Sequence, residues 1–318
     1  MVSKVLVTGG FGFIGSHIVE ELLRKGFQVG VLDNLSTGVE SNLAEERPRI
    51  KIHRADITDL VTLRKVVIGY EAIYHEAALV SVKRSVEDPI STHMVNAGGT
   101  LNVLKVAVES KIRKLVYASS SSVYGNSQSL PKKEDMRCLP VSPYAVSKLA
   151  GEAYCSAFAR VYGLDTISLR YFNVYGPRQR EGQYSGVIPI FIGKALRNEN
   201  PVIFGDGTQM RDFTYVDDVV KANILSLEME TDPGEILNIA TGTPVTINLL
   251  ADVISRETGK DNLKPIYEKP RPEDVYASYA DITKANSVLG YRPGVTLEQG
   301  IRKVIDWFVS TGIYARQR

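Results

Sequence analysis

The chain has 318 residues, 44% hydrophobic and 23% charged, with a net charge of +2. This is an ordinary globular composition with no field that would argue for nucleic acid or a membrane surface. Cys138, Cys155 and the scattered histidines His17, His53, His75 and His93 show no ligand spacing, which argues against a zinc site or a disulfide framework. No apolar run approaches membrane-spanning length and no signal-peptide shape precedes Val5-Leu6-Val7, so a cytoplasmic protein is expected.

In chain order, Lys4–Thr8 reads as a buried strand. Ile14–Lys25 reads as a helix, with Ile14, Ile18, Val19, Leu22 and Leu23 on one face and Gly26 just past its end. Strands follow at Gln28–Leu32 and Ile50–His53, a helix at Asp59–Val67, and a strand at Ala72–His75. Pro89–Ser110 predicts one long helix, Lys114–Ala118 a strand, Pro143–Tyr162 a helix and Thr166–Arg170 a strand. Such alternation implies a parallel, doubly wound sheet with right-handed crossovers: an α/β fold of the Rossmann kind. The pattern breaks after Asn173, where Gln179–Gly186 looks like a loop and shorter, irregular elements follow. The expected division is a dinucleotide-binding domain over 1–174 and a smaller substrate-binding domain over 175–318, with part of 206–246 returning to the first.

The first strand and helix meet at Thr8-Gly9-Gly10-Phe11-Gly12-Phe13-Ile14-Gly15. Glycines there permit a tight turn and close approach of backbone to a pyrophosphate, which the helix N-terminus then attracts. The spacing is GxxGxxG, looser than the common fingerprint, and turns use glycine in any case. Asp33 strengthens the reading, because a carboxylate after the second strand can accept adenosine ribose hydroxyls and repel a 2′-phosphate. Asp33 also reads as a turn starter. No basic residue follows in Asn34-Leu35-Ser36-Thr37-Gly38, so NAD is favoured over NADP. Asp56-Ile57, after the third strand, is a candidate adenine contact.

Tyr144 and Lys148 stand four residues apart, on one helix face. A free phenol, with a pKa of roughly 10, is a poor base at neutral pH, and a nearby ammonium would lower that value. Such a pair also occurs by chance on exposed helices. Ser120, at a preceding strand end, offers a hydroxyl to a reacting oxygen.

Taken together, these residues resemble the extended short-chain dehydrogenase/reductases, and more narrowly the nucleotide-sugar epimerases of the UDP-glucose 4-epimerase type. The resemblance spans nearly the whole chain, through TGGFGFIG, Asp33-Asn34, Asp56-Ile57, His75-Glu76-Ala77-Ala78, Asn96-Ala97-Gly98-Gly99-Thr100, SSSVYG, SPYAVSK, Arg170-Tyr171-Phe172-Asn173, Arg211-Asp212 and Arg271-Pro272-Glu273-Asp274-Val275. It implies that Tyr144 is the base, Lys148 its electrostatic partner and ribose ligand, and Ser120 the catalytic hydroxyl. It implies NAD held by Gly9, Gly12, Phe13, Ile14, Gly15, Asp33, Asn34, Ser36, Thr37, Gly38, Asp56, Ile57, Ala77, Ala78, Asn96 and Phe172, with Tyr144 and Lys148. It implies a UDP-sugar held by Ser120, Tyr144, Asn173, Val187, Phe204, Arg211, Arg271, Asp274 and Ser278. Phe204 reads equally as plain core, and Arg211 and Asp274 as surface ion pairs.

Related 4,6-dehydratases carry Asp-Glu where this chain has Ser121 and Ser122. Neither serine is an acid, which leaves 4-epimerisation through a transient 4-keto sugar. The expected substrates are UDP-glucose and UDP-galactose. Ser278, where restricted relatives place Tyr, would leave room for the N-acetylated pair. UDP-glucuronate 4-epimerases are similar too, and Arg180 would suit a carboxylate. A non-catalytic NAD-binding protein is a further alternative, disfavoured because Tyr144 and Lys148 are both present. Two departures stand out: Glu76 where an apolar residue is common, and Val80 where some relatives have Lys. The family usually forms homodimers through the helices here at 89–110 and 143–162.

Overall fold

The computed structural model describes residues 2–179, 186–270 and 275–316. Seven strands, β1 (Lys4–Thr8), β2 (Gln28–Asp33), β3 (Ile50–Arg54), β4 (Ala72–His75), β5 (Lys114–Ser120), β6 (Asp165–Tyr171) and β7 (Glu235–Ile239), form one sheet in the order β7-β6-β5-β4-β1-β2-β3. Every neighbouring pair is parallel. The order reverses between β1 and β4, which opens a crevice at the carboxyl ends of the strands. Thr8, Asp33, Ser120 and Tyr171 end their strands there, and Glu76 follows directly on β4.

Alternating side chains give the sheet two buried faces. Val5, Val7 and Tyr74 join one core with α1 (Phe13–Arg24) and later helices, while Leu6, Ile73 and Leu115 join the other. The second face is covered by α2 (Leu60–Val66), α5 (Thr100–Glu109) and α6 (Pro143–Tyr162). Such burial on both faces is why these strands read as near-continuous apolar runs.

The expected long helix over 89–110 is interrupted. Short α3 (Val82–Glu87) and α4 (Pro89–His93) lead into a π-turn at Met94–Gly99, and only then does α5 begin. Asn96 turns its side chain to Leu79 and Ser147 instead of solvent, and Gly98-Gly99 weakens helical preference beside it. Past Asn173 the chain is more helical than expected, with α7 (Val187–Leu196), α8 (Val216–Glu228), α9 (Ile247–Glu257), α10 (Thr283–Leu289) and α11 (Leu297–Thr311). Helix α11 has a complete capping box, Thr296 with Gln299, that the sequence reading overlooked. Strand β7 lies within 206–246 and extends the main sheet beside β6. Among the described residues no helix is long and apolar enough to cross a membrane.

Candidate active site

The glycine turn is fixed by its surroundings. Gly9 has φ +68°, and a Cβ there would lie 2.7 Å from the Ala77 backbone nitrogen; one on Gly15 would lie 2.3 Å from the Gly9 carbonyl oxygen. Gly12 caps α1 with no side-chain hydrogen bond, so the orphan N–H groups of the first turn stay available to an anion. Asp33 ends β2 beside them, buried, its carboxylate accepting from the Phe11 and Leu35 N–H groups at 3.0 and 2.8 Å. It is thus a turn residue as well as a candidate ribose ligand. Gly38 passes so close that a Cβ would sit 2.7 Å from the Asp33 Oδ2. Burial pushes Asp33 above the usual carboxylate range while these two hydrogen bonds pull it back. Asn34 donates to Asp56 at 2.7 Å, joining the ends of β2 and β3. An uncapped helix start, a cradle that a Cβ would fill and a carboxylate at its rim fit a dinucleotide.

Some expected cofactor residues act through the frame. Asn96 is buried and its amide is committed: Oδ1 accepts from Leu79 N–H at 2.8 Å, and Nδ2 donates to the Leu79 carbonyl and Ser147 Oγ, both at 3.0 Å. It ties the loop after β4 to α6. Phe172 is wholly buried against Tyr124 and Val123, so its ring faces core, leaving only backbone to face a ligand. Ile57 is buried too, against Gly99 of the π-turn. Val80 is exposed.

Tyr144 lies in the first turn of α6, whose N-cap Ser142 accepts from Ala145 N–H. Lys148 follows one turn later, buried, with Nζ donating to the Ala118 carbonyl of β5 at 2.8 Å and lying 5.2 Å from the Tyr117 ring centre. Ser120 ends the same strand, its Oγ accepting from the Ser122 N–H at 3.2 Å. Strand β5 and helix α6 therefore bring the expected triad together. The electrostatics differ from the expectation that Lys148 lowers the phenol. Burial holds Tyr144 above its ordinary value, Ser120 pulls it down, and the Glu76 carboxylate pushes it further up. Desolvation outweighs the lysine, whose ammonium is spent on Ala118 and is itself lowered by burial.

An open cleft of about 240 Å³ is lined among others by Asn173, Val187, Phe204, Gln209 and Arg211. Four expected substrate residues thus line one space although they are spread over nearly forty positions of sequence. Asn173 holds φ +23°, and its carbonyl accepts from Thr214 N–H at 3.3 Å. Phe204 is a cleft residue, against its reading as plain core. Ser278 pairs in register with Arg211 but is not among the residues lining the cleft. Arg271, Asp274 and Arg180 lie outside the described residues. Arg178, just before Arg180, is committed to Glu20 and Ser16 of α1.

Three features escaped the sequence reading. Behind the triad, Arg170 and Glu152 form a buried ion pair at 2.8 Å, their side chains 3% and 2% exposed. Glu152 also accepts from Ser119, and Arg170 donates to Tyr124 at 2.9 Å. Lys148 and Glu152 stand at i and i+4 on α6, which was the available signal. Glu76 accepts from Tyr171 at 2.9 Å and acts on both Tyr144 and Lys148. Finally, the Ser122 hydroxyl is buried with no hydrogen-bond partner among the described residues.

Comparison with known proteins places the chain. Residues 5–240 match the NAD dependent epimerase/dehydratase family, and the chain belongs to it. It is 44% identical over 305 residues to a putative UDP-glucose 4-epimerase of Methanocaldococcus jannaschii, covering 95% of this chain and 97% of that one. Its fold superposes with TM-score 0.92 on UDP-glucose 4-epimerase from Thermotoga maritima, solved with UDP-glucose, at 39% identity over 97% of this chain and 99% of that one. It superposes with TM-score 0.93 on UDP-N-acetylglucosamine 4-epimerase from Methanobrevibacter ruminantium, solved with UDP-N-acetylmuramic acid, at 40% identity over 98% and 100%. The chain is an isomerase of the nucleotide-sugar epimerase kind, and its cofactor is NAD.

Proposed function

We propose that the protein interconverts C4 epimers of a UDP-hexose, UDP-glucose with UDP-galactose and also the N-acetylated pair, through a 4-keto sugar. NAD, when bound, supplies the hydride acceptor and donor for C4 and a positive charge near the phenol. The observation that carries the reading is the meeting of β5 and α6 at the sheet's carboxyl edge: Lys148 Nζ donates to Ala118 two residues before Ser120, Tyr144 lies one turn before Lys148, and serines with no acid stand at 121 and 122. Tyr144 Oη takes the O4 proton and later returns it. Ser120 Oγ orients that oxygen, and Lys148 holds positive charge one turn away. Asn173, Val187, Phe204 and Arg211 hold the nucleotide end in the cleft, Arg211 as a fork suited to phosphate oxygens. Arg271 and Asp274 complete that set by resemblance.

A homodimer fits the surface. Val86 of α3, Ile90 of α4, Met94 of the π-turn and Val146 and Val161 of α6 are exposed apolar residues on neighbouring helices, Ile90 at 73% and Val161 at 70%. Both cysteines are unpaired, which suits a cytoplasmic setting. Incubating the purified protein with UDP-glucose, UDP-galactose, their N-acetylated counterparts and UDP-glucuronate, without added NAD, tests the substrate. Interconversion of the first four is expected. Turnover of UDP-glucuronate alone would overturn the substrate assignment.

A further inference from the structure

We propose that Asp212 is a positioning residue for the nucleotide end of the substrate: its buried carboxylate locks both strands that flank Arg211 and ties them to the end of the main sheet. The inference rests on the epimerase reading, in which the cleft beside Arg211 receives the diphosphate.

Arg211 ends the short strand Met210–Arg211, the middle one of three. Val245–Thr246 runs antiparallel on one side, with Val245 opposite Arg211. Ala277–Ser278 runs parallel on the other, with Ser278 opposite Arg211. The Met210 and Asp212 N–H groups donate to the Tyr276 and Ser278 carbonyls at 2.9 and 3.1 Å. Successive residues of an extended chain point to opposite faces. Arg211 accordingly lines the cleft, while Asp212 is wholly buried.

Four donors converge on that carboxylate. Oδ1 accepts from the Thr241 N–H at 2.8 Å and the Thr241 hydroxyl at 2.6 Å, and Oδ2 from the Gly242 N–H at 2.9 Å and the Ala280 N–H at 3.4 Å. Gly242 has φ +74°, which lets the turn aim two successive N–H groups at one side chain. Thr241 and Gly242 lead from β7 into Val245–Thr246, and Ala280 lies just past Ala277–Ser278. One carboxylate thus holds the entry to one flanking strand and the exit from the other. The end of β7 also holds the opposite stretch of the cleft, since the Ile239 carbonyl accepts from the Phe172 N–H at 3.1 Å, next to Asn173. All four donors to Asp212 are uncharged, and a buried carboxylate is costly unless such bonds satisfy it. Lys132 grips the same segment independently: its N–H donates to the Tyr279 carbonyl at 2.8 Å, and its carbonyl accepts from the Asp281 N–H at 2.9 Å. Weakening the Asp212 clamp therefore loosens the strands around Arg211 without detaching them.

Asp212→Asn keeps the shape but has a single acceptor oxygen, so at least one backbone N–H loses its acceptor whichever way the amide turns. The test compares parent and variant in steady-state kinetics with UDP-galactose, in UDP affinity by calorimetry, and in NAD retained on purification. KM and the Kd for UDP should each rise about tenfold, the scale of a lost hydrogen bond to a charged group. Turnover and retained NAD should stay within about twofold, because only binding common to ground and transition states is lost. Unchanged UDP affinity would overturn the inference. So would equal losses of UDP and NAD, which is what general loosening of the fold produces. If Asp212→Asn does not fold, Thr241→Val removes the hydroxyl donor, keeps the three N–H donors, and should weaken UDP binding about threefold; unchanged affinity overturns the inference. Independently of any ligand, amide hydrogen exchange at Ala280 should be faster in the variant while that of the main-sheet strands is unmoved, and equal exchange at Ala280 overturns it. Absence of UDP binding by the parent would count against the epimerase reading, while exchange at Ala280 would still decide Asp212.

Discussion

Around the glycine turn, the surface offered to a ligand is mostly backbone. It consists of uncapped N–H groups of α1 and glycines pressed against Ala77 and the Gly9 carbonyl, with one carboxylate, Asp33, at the rim. Across the crevice, the cleft is made of side chains brought from separate segments: Asn173 after β6, Val187 of α7, Phe204 and Arg211. A backbone site has little freedom to change what it binds, whereas a side-chain site can be re-cut by single substitutions. The first should therefore define the cofactor and the second the sugar. Tyr144, Lys148 and Ser120 belong to neither lining and are held by β5 and α6, with the Arg170–Glu152 pair joining the same two elements to β6.

The largest expected effect falls on that middle ground. Tyr144→Phe removes the proton acceptor and keeps the ring, so turnover should fall by about 10²–10⁴-fold, the usual share of general acid–base catalysis. Bound NAD should stay, and quantifying released nucleotide beside kcat checks both. Next comes the brace. Glu152→Gln leaves the Arg170 guanidinium buried and uncompensated, and breaking a buried pair in this way costs about 3–5 kcal/mol. Urea unfolding of the variant against the parent measures it.

The remaining two predictions sharpen the contrast between the sides. Gly15→Ala forces a Cβ against the Gly9 carbonyl. Overpacking of about 1–3 kcal/mol should lower the NAD retained on purification by roughly tenfold, since about 1.4 kcal/mol is one decade. Ser278→Tyr, beside Arg211, should leave NAD untouched and reduce kcat/KM for the N-acetylated substrate about tenfold relative to the plain one, by the same arithmetic. Equal losses on both substrates would show that the position does not select the sugar. Loss of NAD there, or of sugar selectivity alone in Gly15→Ala, would break the division itself.

The same contrast explains what was legible in the sequence. Most strands from Lys4 to Arg170 were readable because burial on both sheet faces makes them apolar runs, the edge strand β3 by its alternation, and the cradle because its glycines are close in sequence. Tyr144 and Lys148 were readable as one helix face. Glu76 showed only as an odd residue, since its hydrogen-bond partner Tyr171 lies 95 positions away and meets it only at the sheet edge. The π-turn was missed because its cause, Asn96 reaching Leu79 and Ser147, is tertiary. Helices α7 to α11 were missed although α9 and α11 are clearly amphipathic, because the loops and prolines between them broke the β-α alternation that made the first half legible. The raised Tyr144 phenol was misjudged because desolvation, invisible in sequence, outweighs a lysine already engaged by Ala118.

The central claim is that C4 is oxidised and re-reduced within one closed site, with Tyr144 handling the O4 proton. UDP-glucose deuterated at C4, incubated with the purified protein without added NAD, tests it most directly. The account predicts UDP-galactose that keeps its deuterium at C4. Product that has lost the label to solvent, or no interconversion of the two sugars, would contradict it.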